Sequence, residues 1–366
     1  MKELALGAAE KIIFDLRALY NTYGYSQYKM SKFEAYDLYA KNKDFLICDS
    51  VITFTDADGK LMALKPDVTL SIVKNSRDTA FVQKLYYTEN VYRVAKGERS
   101  FRERMQVGLE CLGPIDDYCL CEVLELAAKS LQSISSSSVL NVSHLGILTA
   151  LLEGMGISGA HQVKVFSLLG QKNLHELCAL CRELGAAQED IDLLRALIAI
   201  TGTPSEVLPQ LACLLDGKID PAPLAQLVSV TAPLSDAIRI DFSVVDDIHY
   251  YNGIVFKGFI EGLPQSVLSG GQYDRLMQKL GRKTGAVGFA VYMDVLERLQ
   301  TNTRQYDVDT VLVYDAATPA ALIREKAAEL ASSGSVLVQP CVPENIRYQK
   351  LVSLKEGQVH ILENNA

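Results

Sequence analysis

This chain lacks most of the features that would assign a function quickly. No run of roughly 18 apolar residues interrupts it, which excludes a conventional membrane-spanning helix. The first residues, Met1-Lys2-Glu3-Leu4, bring a glutamate at once and offer no apolar signal-peptide core, so a cytoplasmic location is expected. The eight cysteines are scattered without the even spacing of a disulfide framework, which fits a reducing compartment. His144, His161, His175 and His360 share no metal-ligand spacing, so no metal site is expected. Lysine and arginine are outnumbered by acids, for a net charge of −8, and a broad nucleic-acid surface is disfavoured. No internal repeat is present. The one low-complexity stretch, Ser-Ile-Ser-Ser-Ser-Ser at 133–138, is short enough to be a turn before a strand.

What remains is an ordinary soluble composition, 49% hydrophobic and 22% charged, in 366 residues, long enough for two or three domains. Leu4, Ala8, Ile12, Leu16 and Leu19 share one helical face over 3–20, and Gly24 ends that helix. A hairpin is expected over 45–64, with Phe45–Cys48 and Val51–Phe54 turning through Asp58-Gly59 into Leu61–Leu64. Pro66-Asp67 starts a helix running to about Lys74. Two strands, 84–94 and 105–112, flank a charged loop, Ala95–Arg104. A helix follows at about 117–131 and a strand at Val139–Val142.

From 145 to 231 leucine and alanine recur at helical spacing, broken by Gly156, Gly170, Gly185 and Gly202, which predicts a small all-helical insert. Strand patterns return at 237–243, 251–260 and 265–269, then a helix over 271–280, the strand Ala286–Ala290 and the helix Val291–Leu299. Past the polar stretch 301–307, a strand over Val308–Tyr314, a helix over Pro319–Ser332 and a strand over Val336–Gln339 alternate. A helix over Glu344–Leu354 and a strand over Val359–Leu362 complete an expected small parallel α/β unit. The plan is α+β: an antiparallel sheet flanked by helices over 1–300, split by the helical insert, and a short α/β domain over 306–366.

Several segments, in this order, resemble the class II aminoacyl-tRNA synthetases and the histidyl branch most closely. They are Leu64-Lys65-Pro66-Asp67-Val68-Thr69, then Tyr92-Arg93, then Met105 to Glu110, then Tyr250-Tyr251-Asn252-Gly253-Ile254-Val255-Phe256, then Ser269-Gly270-Gly271-Gln272-Tyr273-Asp274. Residues 23–34 are similar to the end of that family's dimer-forming first motif, with Ser31 near the usual proline. Residues 84–112 are similar to the second motif, and 286–297 stand where the third belongs. The resemblance covers roughly 8–130 and 236–300, with a weaker echo at 306–363.

By this resemblance Asp67 and Thr69 would help to hold an α-amino group. Gln106 and Glu110 would line the imidazole end of a histidine pocket, and Tyr251 and Tyr273 would complete it. These are suitable groups, since carboxylates pair with ammonium and a carboxylate or phenol exchanges hydrogen bonds with imidazole. On a strand Gln106 and Glu110 share a face, which taken alone also fits a solvated sheet surface.

The family's chemistry needs cations around the ATP phosphates, for which arginine is well shaped. Arg93 matches the second-motif arginine and is a possible phosphate contact. The acid expected two positions later is Ala95. The histidyl-specific arginine is Asp246, an anion where phosphate charge would lie. The third-motif arginine is Val295, and a glycine of that motif is Tyr292. A pocket kept without its phosphate-handling arginines implies no catalytic residue and no cofactor.

It is similar to an offshoot of the synthetases, the regulatory subunits of ATP phosphoribosyltransferase. These dimers lack aminoacylation, are required by the short-form catalytic chain in the first step of histidine biosynthesis, and take part in histidine feedback inhibition. His249, in place of the synthetases' aspartate, fits this offshoot. The expectation is therefore a homodimer that partners the short catalytic subunit, with L-histidine as effector and no tRNA. The alternatives are a divergent histidyl-tRNA synthetase and a synthetase-like enzyme that activates another acid. Cys178-Ala-Leu-Cys181 and Cys119-Leu-Cys121 read as packing. The loop 96–104, with Arg99, Arg102 and Arg104, could serve a phosphate, a partner or only solvent.

Overall fold

The computed structural model of the chain describes residues 7–42, 51–94, 100–234, 237–245, 250–297 and 305–365. The expected strand Phe45–Cys48, Ala95, Asp246 and His249 lie outside the described residues. The chain divides into two compact units, Met1–Leu299 and Gln300–Ala366.

The first unit is built on a nine-stranded sheet. Its spatial order is Ser26–Gln27, Gln83–Val94, Phe101–Gly113, Gly285–Tyr292, Leu268–Gln272, Ile254–Ile260, Ser138–His144, Ile238–Asp241 and Thr201–Gly202. The strands Ser26–Gln27 and Ile238–Asp241 join parallel to Gln83–Val94 and Ser138–His144. The other neighbours are antiparallel. The long hairpin Gln83–Val94 and Phe101–Gly113 is in register along its whole length, with Arg93 opposite Arg102 and Leu85 opposite Glu110.

Side-chain alternation gives this sheet two different faces. Val107, Leu109 and Cys111 point into one core, where the helices Ala8–Thr22 and Asp117–Ile134 bring Leu16, Tyr20, Leu120, Val123 and Ala127. Their neighbours Gln106, Gly108, Glu110 and Leu112 point the other way and are buried too. That second face is covered by Val68, Leu70, Ile72 and Val73 around the short helix Thr69–Asn75, and by Tyr39, Tyr250 and Tyr273. A strand buried on both sides has no solvated face, so its polar side chains must find partners inside the protein.

A small three-stranded sheet, Phe33–Ala35, Leu61–Leu64 and Thr53–Thr55, leads into that helix. Its hairpin turns at Gly59, φ +79°, with Asp56 Oδ1 accepting from Asp58 N and Lys60 N. The expected insert is six helices: Leu145–Gly154, Gly159–Gly170, Leu174–Glu183, Gln188–Ala199, Pro204–Leu215 and Pro221–Thr231. It also contributes the short strand Thr201–Gly202 to the sheet edge, which the leucine-rich pattern did not reveal. Cys178 and Cys181 are buried on the helix Leu174–Glu183 and serve packing.

The second unit corrects the sequence reading. Its four strands lie in the order Val336–Gln339, Val308–Tyr314, Tyr348–Lys355 and Gln358–Asn364, with the helix Ala320–Ala331 against one face. The expected helix over Glu344–Leu354 is instead largely strand, with Leu351, Val352, Ser353 and Leu354 buried in succession. The sheet is parallel only in part, since the last two strands pair antiparallel. The cause is a two-residue turn, Glu356 (φ +49°) and Gly357 (φ +81°), between Lys355 and Gln358. Two left-handed residues in succession make the tight turn that matches the twist of an antiparallel hairpin.

Candidate functional site

The buried polar groups of the sheet's second face converge on one cavity. About 370 Å³ of atom-free space lies within it, open solvent at its mouth included. Asp67, Thr69, Arg93, Gln106, Glu110, Tyr251 and Tyr273, the seven residues singled out by resemblance, all line it.

Glu110 lies at its floor. Thr69 Oγ1 donates to Glu110 Oε1 at 2.6 Å and Tyr273 OH donates to Oε2 at 2.5 Å. Burial pushes the Glu110 pKa up to about 8; the two hydroxyl bonds oppose the rise and the nearby Asp67 charge adds to it. Room for this carboxyl comes from Gly288 on the strand Gly285–Tyr292, which pairs with Glu110 across the sheet.

Asp67 sits where the chain enters the helix Thr69–Asn75, and its Oδ1 accepts from Leu70 N at 2.8 Å. Its Oδ2 faces Arg93 Nη2 at 3.5 Å, while Arg93 Nε donates to Pro66 O at 2.6 Å. Burial raises the Asp67 pKa, and Arg93 counters it. Arg93 is thus tied to the segment that carries Asp67.

The Tyr-Tyr and Gly-Gly segments are clipped together. Asp274 accepts from Asn252 Nδ2 at 3.1 Å, Gln272 Nε2 at 2.8 Å and Ala286 N at 3.0 Å, and its own N–H donates to Asn252 Oδ1 at 2.8 Å. A Cβ on Gly253 would meet Gln272 Oε1 at 2.2 Å, and one on Gly271 would meet the Tyr251 ring at 2.7 Å. Gly271 is therefore required by close approach, since its Cβ would also stand 2.8 Å from the Ile254 carbonyl oxygen, whereas at Gly253 only the end of the Gln272 side chain would have to move. Tyr250 stands 4.7 Å from Tyr251 and 5.8 Å from Tyr273, centroid to centroid.

Sequence reasoning missed Tyr87, Tyr250, Ser269 and Gly288 as lining residues, and gave Tyr292 only as a lost glycine. Tyr87 shares the strand face of Arg93, six positions away, so alternation alone could have placed it. Gly288, within Ala-Val-Gly-Phe-Ala, bore the usual mark of close approach, a glycine inside a strand.

Along the same sheet face the neighbouring cations are already paired. Lys65 forms an ion pair with Glu89. Arg104 meets Asp294 at 3.5 Å, an ion pair without hydrogen-bond geometry. Val295, at the position of the third-motif arginine, is partly buried against the apolar core behind the sheet. Among the described residues no group of three or more His, Cys, Asp or Glu could hold a metal ion, and no helix is long and apolar enough to cross a membrane.

The comparisons with known proteins bear on the family and the fold. The family described as histidyl-tRNA synthetase matches residues 5–296. An ATP phosphoribosyltransferase regulatory subunit from Oceanobacillus iheyensis is 27% identical over 299 residues, 79% of this chain and 73% of that protein. One from Lactococcus lactis subsp. cremoris is 30% identical over 290 residues, 78% of this chain and 90% of that protein. A histidine–tRNA ligase from Methanocaldococcus jannaschii is 28% identical over 304 residues, 80% and 71% of the two chains. Among solved structures, an ATP phosphoribosyltransferase regulatory subunit/histidyl-tRNA synthetase from Bacillus halodurans superposes with a TM-score of 0.78 at 23% identity, covering 94% of this chain and 93% of that one. A chain of the ATP phosphoribosyl transferase (HisG:HisZ) complex from Thermotoga maritima gives 0.61 at 19%, covering 77% and 96%. These two structural likenesses establish the class II synthetase-like fold. The chain belongs to the histidyl-tRNA synthetase family, in the class that includes the ATP phosphoribosyltransferase regulatory subunits.

Proposed function

We propose that this chain is a non-catalytic regulatory subunit that activates a short-form ATP phosphoribosyltransferase, in the first step of histidine biosynthesis, and mediates its feedback inhibition by histidine. The observation that carries the reading is a contrast on one sheet face. The amino-acid cavity is built from Asp67, Thr69, Gln106, Glu110, Tyr251 and Tyr273, while Arg93, Lys65 and Arg104 are each paired with a carboxylate of the chain itself. Those carboxylates offset the positive charge that a phosphate would need, where transition-state chemistry on ATP relies on preorganised cations.

In this reading histidine occupies the cavity and binds the active and inactive states of the complex with unequal affinity, which inhibition requires. The chain acts as a homodimer, without tRNA, and the unit Gln300–Ala366 is a shortened counterpart of an anticodon-binding domain. The nomenclature of the relatives supports the partner, and the identity to a histidine–tRNA ligase keeps a divergent synthetase as the competing reading.

Reconstitution decides between them. Purified chain is added to a short-form ATP phosphoribosyltransferase, and phosphoribosyl transfer is followed with and without histidine. The chain alone is assayed for histidine-dependent pyrophosphate exchange with ATP. Activation that histidine reverses, with no exchange, is the expected result. Exchange by the chain alone would establish the synthetase instead.

A further inference from the structure

The cavity has a charge imbalance. It holds two buried carboxylates, Asp67 and Glu110, and among the described residues the one cation lining it, Arg93, faces Asp67. The groups around Glu110 come from every element packed on it. They are Thr69 from the short helix, Tyr87 from the long hairpin, Tyr250, Tyr273, the backbone at Gly288, and Asp67 as a second anion. Among the described residues none of these is a cation. Lys65 and Arg104, farther along the sheet face, belong to Glu89 and Asp294.

An ionised carboxylate buried without a counter-charge is strongly disfavoured, and such a group neutralises itself by taking up a proton. The pKa of about 8 agrees. Either the Thr69 or the Tyr273 hydroxyl can rotate to accept, so the same two contacts accommodate a neutral carboxyl.

We propose that the site captures a basic imidazole by handing it the Glu110 proton, so that the ligand is held as a cation against a carboxylate created by its own arrival. This rests on the reading of the cavity as a histidine site. The O–H bond of Glu110 breaks, an N–H bond forms at the imidazole nitrogen with that nitrogen's lone pair, and no proton enters solvent. Binding is then tightest where the free imidazole is neutral and the free Glu110 is protonated. That window lies between about 6.5, the ordinary histidine value, and about 8, the Glu110 value. Selectivity follows basicity as well as shape.

The test is calorimetric titration of the full chain with L-histidine across pH 5.5 to 9.5 in pairs of buffers of different ionisation enthalpy. A parallel titration uses triazolylalanine, a far weaker base of the same shape. The Glu110→Gln variant corrects for the α-amino group. Near pH 7 the expected enthalpy is independent of buffer. Above pH 8 the parent takes up close to one more proton than Glu110→Gln. The preference for histidine over triazolylalanine falls roughly tenfold or more in the variant. Net uptake of a proton already at pH 7 would mean that Glu110 is ionised in the empty site, and overturns the proposal. Binding with no proton uptake at any pH means that the imidazole stays neutral, and also overturns it. In both cases histidine still binds and the underlying reading stands. Absence of histidine binding removes both. The 15N chemical shifts of bound histidine, which differ between imidazole and imidazolium, show on the parent alone where the proton lies, and neutral-ring shifts at pH 7 overturn the proposal.

Discussion

A Cβ placed on Gly288 would stand 1.8 Å from Oε2 of Glu110. The two residues pair across adjacent antiparallel strands, and the carboxyl occupies the space that any larger residue would claim. Its hydrogen bonds to Thr69 and Tyr273 follow from that location.

Gly288→Ala is expected to drive Glu110 out of the cavity floor. Overpacking of this kind costs about 1–3 kcal/mol, so the chain should still fold. Histidine affinity should fall by tenfold or more, read by calorimetry beside a thermal melt.

The empty site should also leave a mark on stability. Glu110 has a folded pKa of about 8, above its unfolded value near 4.3. A raised value means that the folded state holds the proton more tightly. The contribution is fully present below about pH 4.3 and is lost as pH rises through about 8. Melting temperatures of the ligand-free parent and Glu110→Gln, compared from pH 5 to 9, should show the parent losing ground steadily as pH rises. A constant difference would contradict a buried Glu110 that takes up a proton in the empty site.

The resemblance of Pro-Asp-Val-Thr, Tyr-Tyr-Asn-Gly and Gly-Gly-Gln-Tyr-Asp, in that order, to the histidyl-tRNA synthetases implied one pocket, and the structure brings residues of all three segments to one cavity. What was illegible depended on contacts between segments far apart in sequence. Thr69 and Tyr273 meet on Glu110 across 41 and 163 residues, and no local pattern encodes that. The helix expected over Glu344–Leu354 failed for a different reason. A short run buried without a break, such as Leu351-Val352-Ser353-Leu354, has no clear period to read, and the deciding signal was the turn Glu356-Gly357 after it.

Asp274 holds the Tyr-Tyr segment to the Gly-Gly segment through three donors, Asn252, Gln272 and Ala286. Asp274→Ala leaves these donors without their acceptor in a part-buried site and should cost about 3 kcal/mol in urea unfolding. Asp274→Asn, which keeps one acceptor oxygen, should cost less. Both should weaken histidine binding, since Tyr251 and Tyr273 lie next to the clip.

His144 predicts an acid sensitivity at the start of the helical insert. Its Nδ1 accepts from Gly146 N at 3.1 Å and caps the helix Leu145–Gly154, while Nε2 lies 2.9 Å from Gln226 Oε1 on the helix Pro221–Thr231. Both contacts are met by the neutral ring with its proton on Nε2. Burial lowers its pKa, with the Gln226 bond opposing. A lowered value means that its contribution is present above about pH 6.5 and is lost as pH falls through the folded value. His144→Asn keeps a capping oxygen without titrating. It should be about 1 kcal/mol less stable at pH 8 and less sensitive to acid, seen in melts from pH 5 to 8.

The paired cations along the sheet face bear on how such a protein could change its trade. Val295 rests against the apolar core, so an arginine introduced there would lose packing and have to escape burial before it met any phosphate. Arg93, Lys65 and Arg104 would still be held by Asp67, Glu89 and Asp294. On the proposed reading, a return to a nucleotide site would take several coordinated changes, an arginine at 295 and the release of those cations among them, so the ion pairs act as an evolutionary ratchet.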